Sequence, residues 1–567
     1  MTSVTPCPAA PTAGWLVLLL RGLLGAGSVA ALTFLYLNLD RGFDLTDEAY
    51  YLLWIDRPAA YDIAGSMFGI ALSPIYHLTG SDPAWLRRIG LVVAALTAAA
   101  MCWTVLRLNA RGRPPAPGAV AMAAAAAASV ATYYHLWLPT PSYNWLPLPA
   151  GFLLLTGVSL LQHDRMPIGS TVMIGLAGLL AFAGKPTTGA AFALVYLLGA
   201  VAAAGFSRRT MRHVALSGVA CLALLALASV SFLDPWIAFR QARGYVDFFG
   251  AAPPIGSYLA SLHIPPGYHV AAIAAVLAYH APGLIARFLG IVAIVAALVV
   301  EREMHNRGYD YAQGVVVMAA CLALVANCLA WSPQRPRWRQ LLVPALAFVM
   351  PWVAAFGTSN ALVWQTSFYA AFPLAGSIAI AYLCFGDRDW RAIGAAMLAP
   401  FFAGLALNAA QTAPYRLSST LGAQVLPVTV GGGVLRVDAR TRAFIDTLRE
   451  QVAEAGFEEG TPVLDFSGST PGIAFLLNGH PPGFPWLVGG YEFSPRLAEQ
   501  IVTAMPVEKR RSAWLVQGET PIAFKPDFIR SLGFDLESGY ELAASVAHPI
   551  DGTAVRIYAP LSRADIQ

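Results

Sequence analysis

Apolar stretches long enough to cross a bilayer dominate the first 410 residues. Arg21 interrupts the earliest of them, so the pattern predicts a span over 22–39 with residues 15–20 at the interface. Further stretches recur at 89–106, 118–134, 145–161, 168–184, 188–205, 214–233, 284–300, 313–331, 341–357, 362–384 and 392–410. Each is close to the roughly 20 residues that a spanning helix needs. After Asn408 charged residues return and apolar runs shrink to strand length. The stretch 438–456 reads as an amphipathic helix, with Asp438 as its N-cap and Gly456 as its stop. Strands are predicted at 463–466, 513–516 and 555–558, and helices near 494–504 and 526–532. The pattern therefore predicts a membrane domain over 1–410 and a soluble α/β domain over 411–567.

Basic residues orient the helices. Arg107, Arg111 and Arg113, then Arg165, then Arg208, Arg209 and Arg212 fall on one side of the alternation, the side expected to face the cytoplasm. Arg335, Arg337 and Arg339 join that side if 265–280, ending at His280-Ala281-Pro282-Gly283, is a short helix of its own, which brings the total to about thirteen spans. The loops 40–88, 135–143, the turn around Lys185, 234–264 and the chain after residue 410 are then external. Residues 1–14 lack a basic start, so the first helix is expected to stay in the mature protein.

Composition agrees with a membrane protein. Hydrophobic residues make up 57% of the 567 and charged residues only 12%, about half the charged share of an ordinary soluble domain. Mean hydropathy is +0.58. The net charge of +4 gathers on no face that would bind nucleic acid. Five of the six cysteines, Cys102, Cys221, Cys321, Cys328 and Cys384, lie in apolar segments and Cys7 precedes them, so neither a disulfide framework nor a cysteine metal site is expected.

Against this background a few polar groups stand out. The first external loop carries Asp44, Asp47 and Glu48, followed by Tyr50 and Tyr51. Carboxylates at the mouth of a membrane bundle are costly to desolvate. They read either as the first turn of a juxtamembrane helix starting near Thr46, whose dipole they suit, or as a general base beside a cavity. Arginine supplies nearly all the positive charge, and Lys185 is the only lysine in the membrane half. It either snorkels to the interface or, with Thr187 and Thr188, seats a phosphate at a helix start. Arg240 and Arg243 share a helix face suited to phosphate or to lipid headgroups. Thr358, Ser359, Asn360 and Gln365 form an uncharged polar turn able to hydrogen-bond sugar hydroxyls, or simply to cap the next helix. The turn from Asp465 to Gly472 carries no nucleotide fingerprint and reads as an ordinary strand-to-helix turn.

The Asp47-Glu48 pair followed by tyrosines, on a many-helix chain ending in an external soluble domain, resembles the GT-C superfamily of membrane glycosyltransferases. The nearest likeness is to the branch with protein O-mannosyltransferases and the lipid A aminoarabinose transferase, and the Gly184-Lys185-Pro186 turn is similar to that branch's lysine turn. The chain departs from it at Thr46, where the branch often has proline, and at Ala49 and Tyr50, where it has an arginine. The resemblance implies a bacterial inner-membrane enzyme of the cell envelope that moves a sugar from a polyprenyl-phosphate donor to a glycan, lipid or protein hydroxyl at the periplasmic face. Asp47 carries over as base, Glu48 as its acidic companion with Asp44 assisting, and Lys185 as the phosphate contact. Tyr50, Tyr51, Arg240, Arg243 and Asn360 are the further substrate-binding candidates. The chemistry accepts a divalent metal without demanding one. A transporter or lipid flippase is the alternative, although it would place ionisable groups near the midplane and show internal repeats.

Overall fold

The computed structural model describes residues 13–110, 117–163, 167–231, 234–249, 310–358 and 360–561. The expected helices at 265–280 and 284–300, the loop 250–264 and Ser359 lie outside the described residues.

Ten helices fill the chain up to residue 249: α1 (Ala13–Asn38), α2 (Asp47–Asp56), α3 (Phe68–Leu78), α4 (Pro83–Asn109), α5 (Pro117–Ser129), α6 (Pro147–Gln162), α7 (Pro167–Gly184), α8 (Pro186–Ala204), α9 (Arg208–Ser231) and α10 (Pro235–Phe249). Four longer ones follow: α11 (Asp310–Ala330), α12 (Trp338–Ala355), α13 (Ala371–Phe385) and α14 (Leu398–Thr412). Among the described residues eight helical segments are long and apolar enough to span a membrane, or nine if the pair Leu362–Tyr369 and Ala371–Phe385, bent by 55°, counts as one broken span. The expected span at 145–161 appears as the shorter helix Pro147–Gln162, 16 residues, and that at 313–331 as the 21-residue α11. The protein is thus a many-helix membrane protein, with part of the expected thirteen resting on residues outside this description.

Helix α1 corrects one expectation. It runs unbroken through Arg21, whose guanidinium donates to the Asp387 carbonyl at 2.8 Å, so the charge is satisfied without ending the helix.

Contacts at the two ends of the bundle fix which loops share a side. At one end the Gln340 amide donates to Asn109 at 3.2 Å, and Gln162 bonds the Arg339 carbonyl, so the Arg335–Arg339 loop lies with the Arg107 end of α4. At the other end the Met67 N–H donates to the Ala183 carbonyl at 2.9 Å, and the Ala64 N–H to Gln241 at 3.1 Å. There the Thr188 hydroxyl also donates to the Phe356 carbonyl at 2.6 Å. The described parts of the loops expected to be external share one face.

The C-terminal α/β region lies on that face. A hairpin pairs β1 (Leu426–Val430) with β2 (Gly433–Val437), and a four-stranded sheet has the order β3 (Val463–Asp465), β4 (Trp514–Gly518), β6 (Ala554–Pro560), β5 (Tyr540–Ala547). Strands β3 and β4 run parallel and the remaining neighbours antiparallel. Helix α15 (Ala439–Glu454) is capped as expected by the Asp438 carboxylate, which accepts from the N–H groups of Arg440 and Thr441, and Gly456 follows it at φ +83°. Backbone bonds join this region to the first loop. The Gly472 N–H donates to the Leu45 carbonyl at 2.9 Å, Asp62 to Gly483 at 2.9 Å and Gly42 to Arg436 at 2.8 Å. One continuous apolar core runs from Leu24 and Ala98 in the helices to Val437, Ile473 and Ile557 in the α/β region.

Candidate functional site

Helix α2 holds the acidic cluster, and its three carboxylates have separate surroundings. Asp44 sits just before the helix, buried. Its carboxylate accepts from the Thr46 N–H at 2.9 Å, the Thr46 hydroxyl at 2.7 Å and the Glu48 N–H at 3.2 Å. It therefore caps the start of α2, the role that a juxtamembrane helix starting near Thr46 offers these carboxylates. Burial, and the nearby Asp47 charge, push the Asp44 carboxyl up to about 7.

Glu48 faces inward to Arg87 of α4, at 2.7 Å, with the two side chains 3% and 0% exposed. Thr140 also bonds the Glu48 carboxylate. The same guanidinium donates to the carbonyls of Leu39 at 2.8 Å and Gly42 at 3.0 Å. One buried ion pair thus ties together the end of α1, the start of α2, α4 and the loop after α5. Removing either partner would strand a buried charge, at a cost of about 3–5 kcal/mol. Glu48 positions the helix, and its oxygens are committed to that task.

Asp47 is the remaining carboxylate, with its side chain 24% exposed. Its Oδ2 accepts from the Tyr415 hydroxyl at 3.1 Å and the Arg416 guanidinium at 3.2 Å. Burial raises its pKa and the Arg416 charge opposes the rise. Arg416 also donates to the Thr46 hydroxyl at 2.6 Å, and its backbone takes φ +50°. A left-handed conformation at a non-glycine residue costs roughly 1–2 kcal/mol, so the link from α14 to the α/β region is held under strain where it delivers this cation.

Lys185 lies in the turn between α7 and α8, buried. Its ammonium donates to Asn144 Oδ1 at 3.0 Å and stands 5.1 Å above the ring centre of Tyr143. Both partners are neutral, and burial pushes the amine down to about 7. Asn144 Oδ1 also accepts from Gln365 at 3.0 Å, and Gln365 Oε1 accepts from Asn360 at 3.2 Å. The uncharged turn and the lysine are therefore one polar network.

Tyrosines join the two ends. Tyr51 lies one helical turn beyond Asp47, its ring 5.8 Å from that of Tyr143 in an edge contact. Burial and the Asp47 charge both raise the Tyr143 phenol, to about 12. Asp47 and Lys185 therefore bear on the same ring. Tyr50 packs against Tyr51 at 5.7 Å and also reaches Trp54, Phe484 and Trp486 at 5.6–6.0 Å between ring centres.

Arg240 and Arg243 lie elsewhere. They sit exposed on α10, Arg243 paired with Asp247 at 3.6 Å, while Gln241 on the opposite face bonds the carbonyls of Pro58 and Tyr61. The shared face inferred from their spacing exists, but it turns away from Asp47 and Lys185. Among the described residues no three His, Cys, Asp or Glu side chains are arranged to hold a metal. Asp47 and Glu48 are each already engaged by an arginine, so this donor set does not suit a metal, and no step below passes through one.

No protein-family model and no curated protein matches the chain. Among solved structures the chain is similar to the crystal structure of ArnT from Cupriavidus metallidurans in the apo state. Identity is 14%, covering 97% of this chain and 98% of that one, with a TM-score of 0.41. Superposition at that level assigns no residue a role, and the roles here rest on this chain's own side chains.

The sequence reading passed over Arg87, Thr140, Tyr415 and Arg416. Arg87 and Arg416 are two among many arginines and touch the cluster only through the fold, across 39 and 369 residues of chain. Gln365, expected in a turn that could hydrogen-bond sugar hydroxyls, instead bonds Asn144 beside Lys185. The turn from Asp465 to Gly472 behaves as expected, because Asp465 and Ser467 take up the Thr470 N–H within it.

Proposed function

We propose that the chain is a membrane glycosyltransferase that moves a sugar from a polyprenyl-phosphate donor to an acceptor hydroxyl at the periplasmic face, with inversion. The observation that carries this reading is the pairing of Asp47 and Lys185 about Tyr143. Tyr51, one helical turn beyond the part-exposed Asp47, packs edge-on against Tyr143, over whose ring the buried Lys185 ammonium stands with only neutral partners. A buried ammonium without a counter-ion is unfavourable unless an anion arrives to compensate it, and a lipid-borne phosphate is such an anion.

In this reading the donor phosphate meets the Lys185 ammonium, and its sugar lies along Tyr143 and Tyr51 toward Asp47. Asp47 removes the proton from the acceptor hydroxyl as that oxygen attacks the anomeric carbon. The bond from that carbon to the phosphate oxygen breaks on the opposite face, and the departing phosphate gains a second negative charge. Lys185 stabilises that charge, with Asn144 and Gln365 fixing its position. Arg416 favours the ionised form of Asp47 between turnovers.

Transfer from a panel of polyprenyl-phosphate sugars, comparing the unaltered protein with Asp47→Asn, tests the assignment. The variant should retain its fold and lose about 10²–10⁴-fold in rate, the range for removal of a general base. Undiminished transfer would end the proposal. Absence of transfer by the unaltered protein with every donor would favour a transporter.

A further inference from the structure

A cavity of about 510 Å³ opens between the start of α2 and the α/β region, with Thr46 and Arg416 in its lining. Ser469, Trp486, Tyr491 and Thr520 line it as well. Its volume falls in the range of about 300–1,000 Å³ typical of small-molecule sites. One contact beyond volume ties it to the chemistry. Arg416, which lines the cavity, simultaneously bonds Asp47, so the space abuts the proposed base.

We propose that this cavity is the acceptor subsite and that its occupant is a saccharide. The proposal rests on the reading of Asp47 given above. Trp486 and Tyr491 supply flat faces on which a pyranose can lie. Ser469 and Arg416 supply hydroxyl and guanidinium partners for its hydroxyls. Trp486 is held by its indole N–H, which donates to the Gly468 carbonyl at 3.1 Å, and its ring rests 6.0 Å from that of Tyr50. The acceptor platform and α2 are therefore packed as one unit. A lipid tail would need a continuous apolar wall, and hydroxyl-bearing residues interrupt the apolar ones here.

Binding of glucose, mannose, galactose and N-acetylglucosamine di- and trisaccharides to the full chain in nanodiscs, measured by calorimetry and saturation-transfer NMR, tests this without turnover. At least one saccharide should bind the unaltered protein and Asp47→Asn alike. Its affinity should fall tenfold or more in Tyr491→Ala combined with Ser469→Ala, whose melting temperature serves as the folding control. Unchanged affinity in that double variant, or binding by no member of the panel, overturns the acceptor subsite while leaving the Asp47 mechanism standing. Transfer surviving in Asp47→Asn with saccharide binding intact overturns the mechanism instead.

Discussion

At the scale of single residues, neighbouring carboxylates are separated by what each one faces. Asp44 caps a helix, Glu48 is locked to Arg87, and Asp47 alone combines partial exposure with a nearby cation. Opposing pH limbs should follow. Burial raises Asp47 above the usual carboxylate range, so its basic form accumulates at higher pH than a free aspartate's. Lys185, pushed down to about 7, loses its charge as pH climbs through neutrality. The profile of kcat/KM, which reports the free enzyme, should be bell-shaped with its alkaline limb near pH 7. The profile of kcat should hold its alkaline side to higher pH, because a bound phosphate raises the lysine pKa. Coincident alkaline limbs in the two profiles would count against a phosphate at Lys185. Replacement of Lys185 by Met should weaken donor binding and abolish the alkaline limb in steady-state rates.

Among elements, the placement of α2 depends on a buried ion pair rather than on helix propensity. Arg87→Met should destabilise the protein by about 3–5 kcal/mol, because Glu48 is left charged and unpaired, and Arg87→Met with Glu48→Gln should recover part of that loss. Thermal unfolding in detergent measures both. The single variant should also slow transfer about 10²-fold, since a shift of an ångström in a reacting group is enough for that. The pair was not legible in the chain, where only proximity in the fold links residue 48 to residue 87. The spans were legible because twenty consecutive apolar residues have few other uses, and the Asp438 cap because it immediately precedes an amphipathic run. The hairpin of β1 and β2 was missed although Gly431-Gly432 separates two alternating runs, a pattern that favours a two-residue turn. Strand β5, with three alanines in eight residues, has only Tyr540 and Val546 of the aromatic and β-branched residues that announce a strand.

Over the whole molecule, what counts is how closely the helical bundle and the α/β region are joined. Gly472 approaches Leu45 so nearly that an added Cβ would stand 2.9 Å from the Leu45 backbone. Gly472→Val should pry the two apart, and hydrogen exchange at the amides of α2 should then quicken while the spanning helices stay protected. Unchanged protection of α2 would show that the contact is dispensable. Because a single apolar core runs through both halves, the C-terminal region expressed alone would present a sticky underside and precipitate. A chimera that borrows this region from a relative should work only when the first external loop is transplanted with it, so acceptor preference and the catalytic helix are bound to be inherited as one cassette.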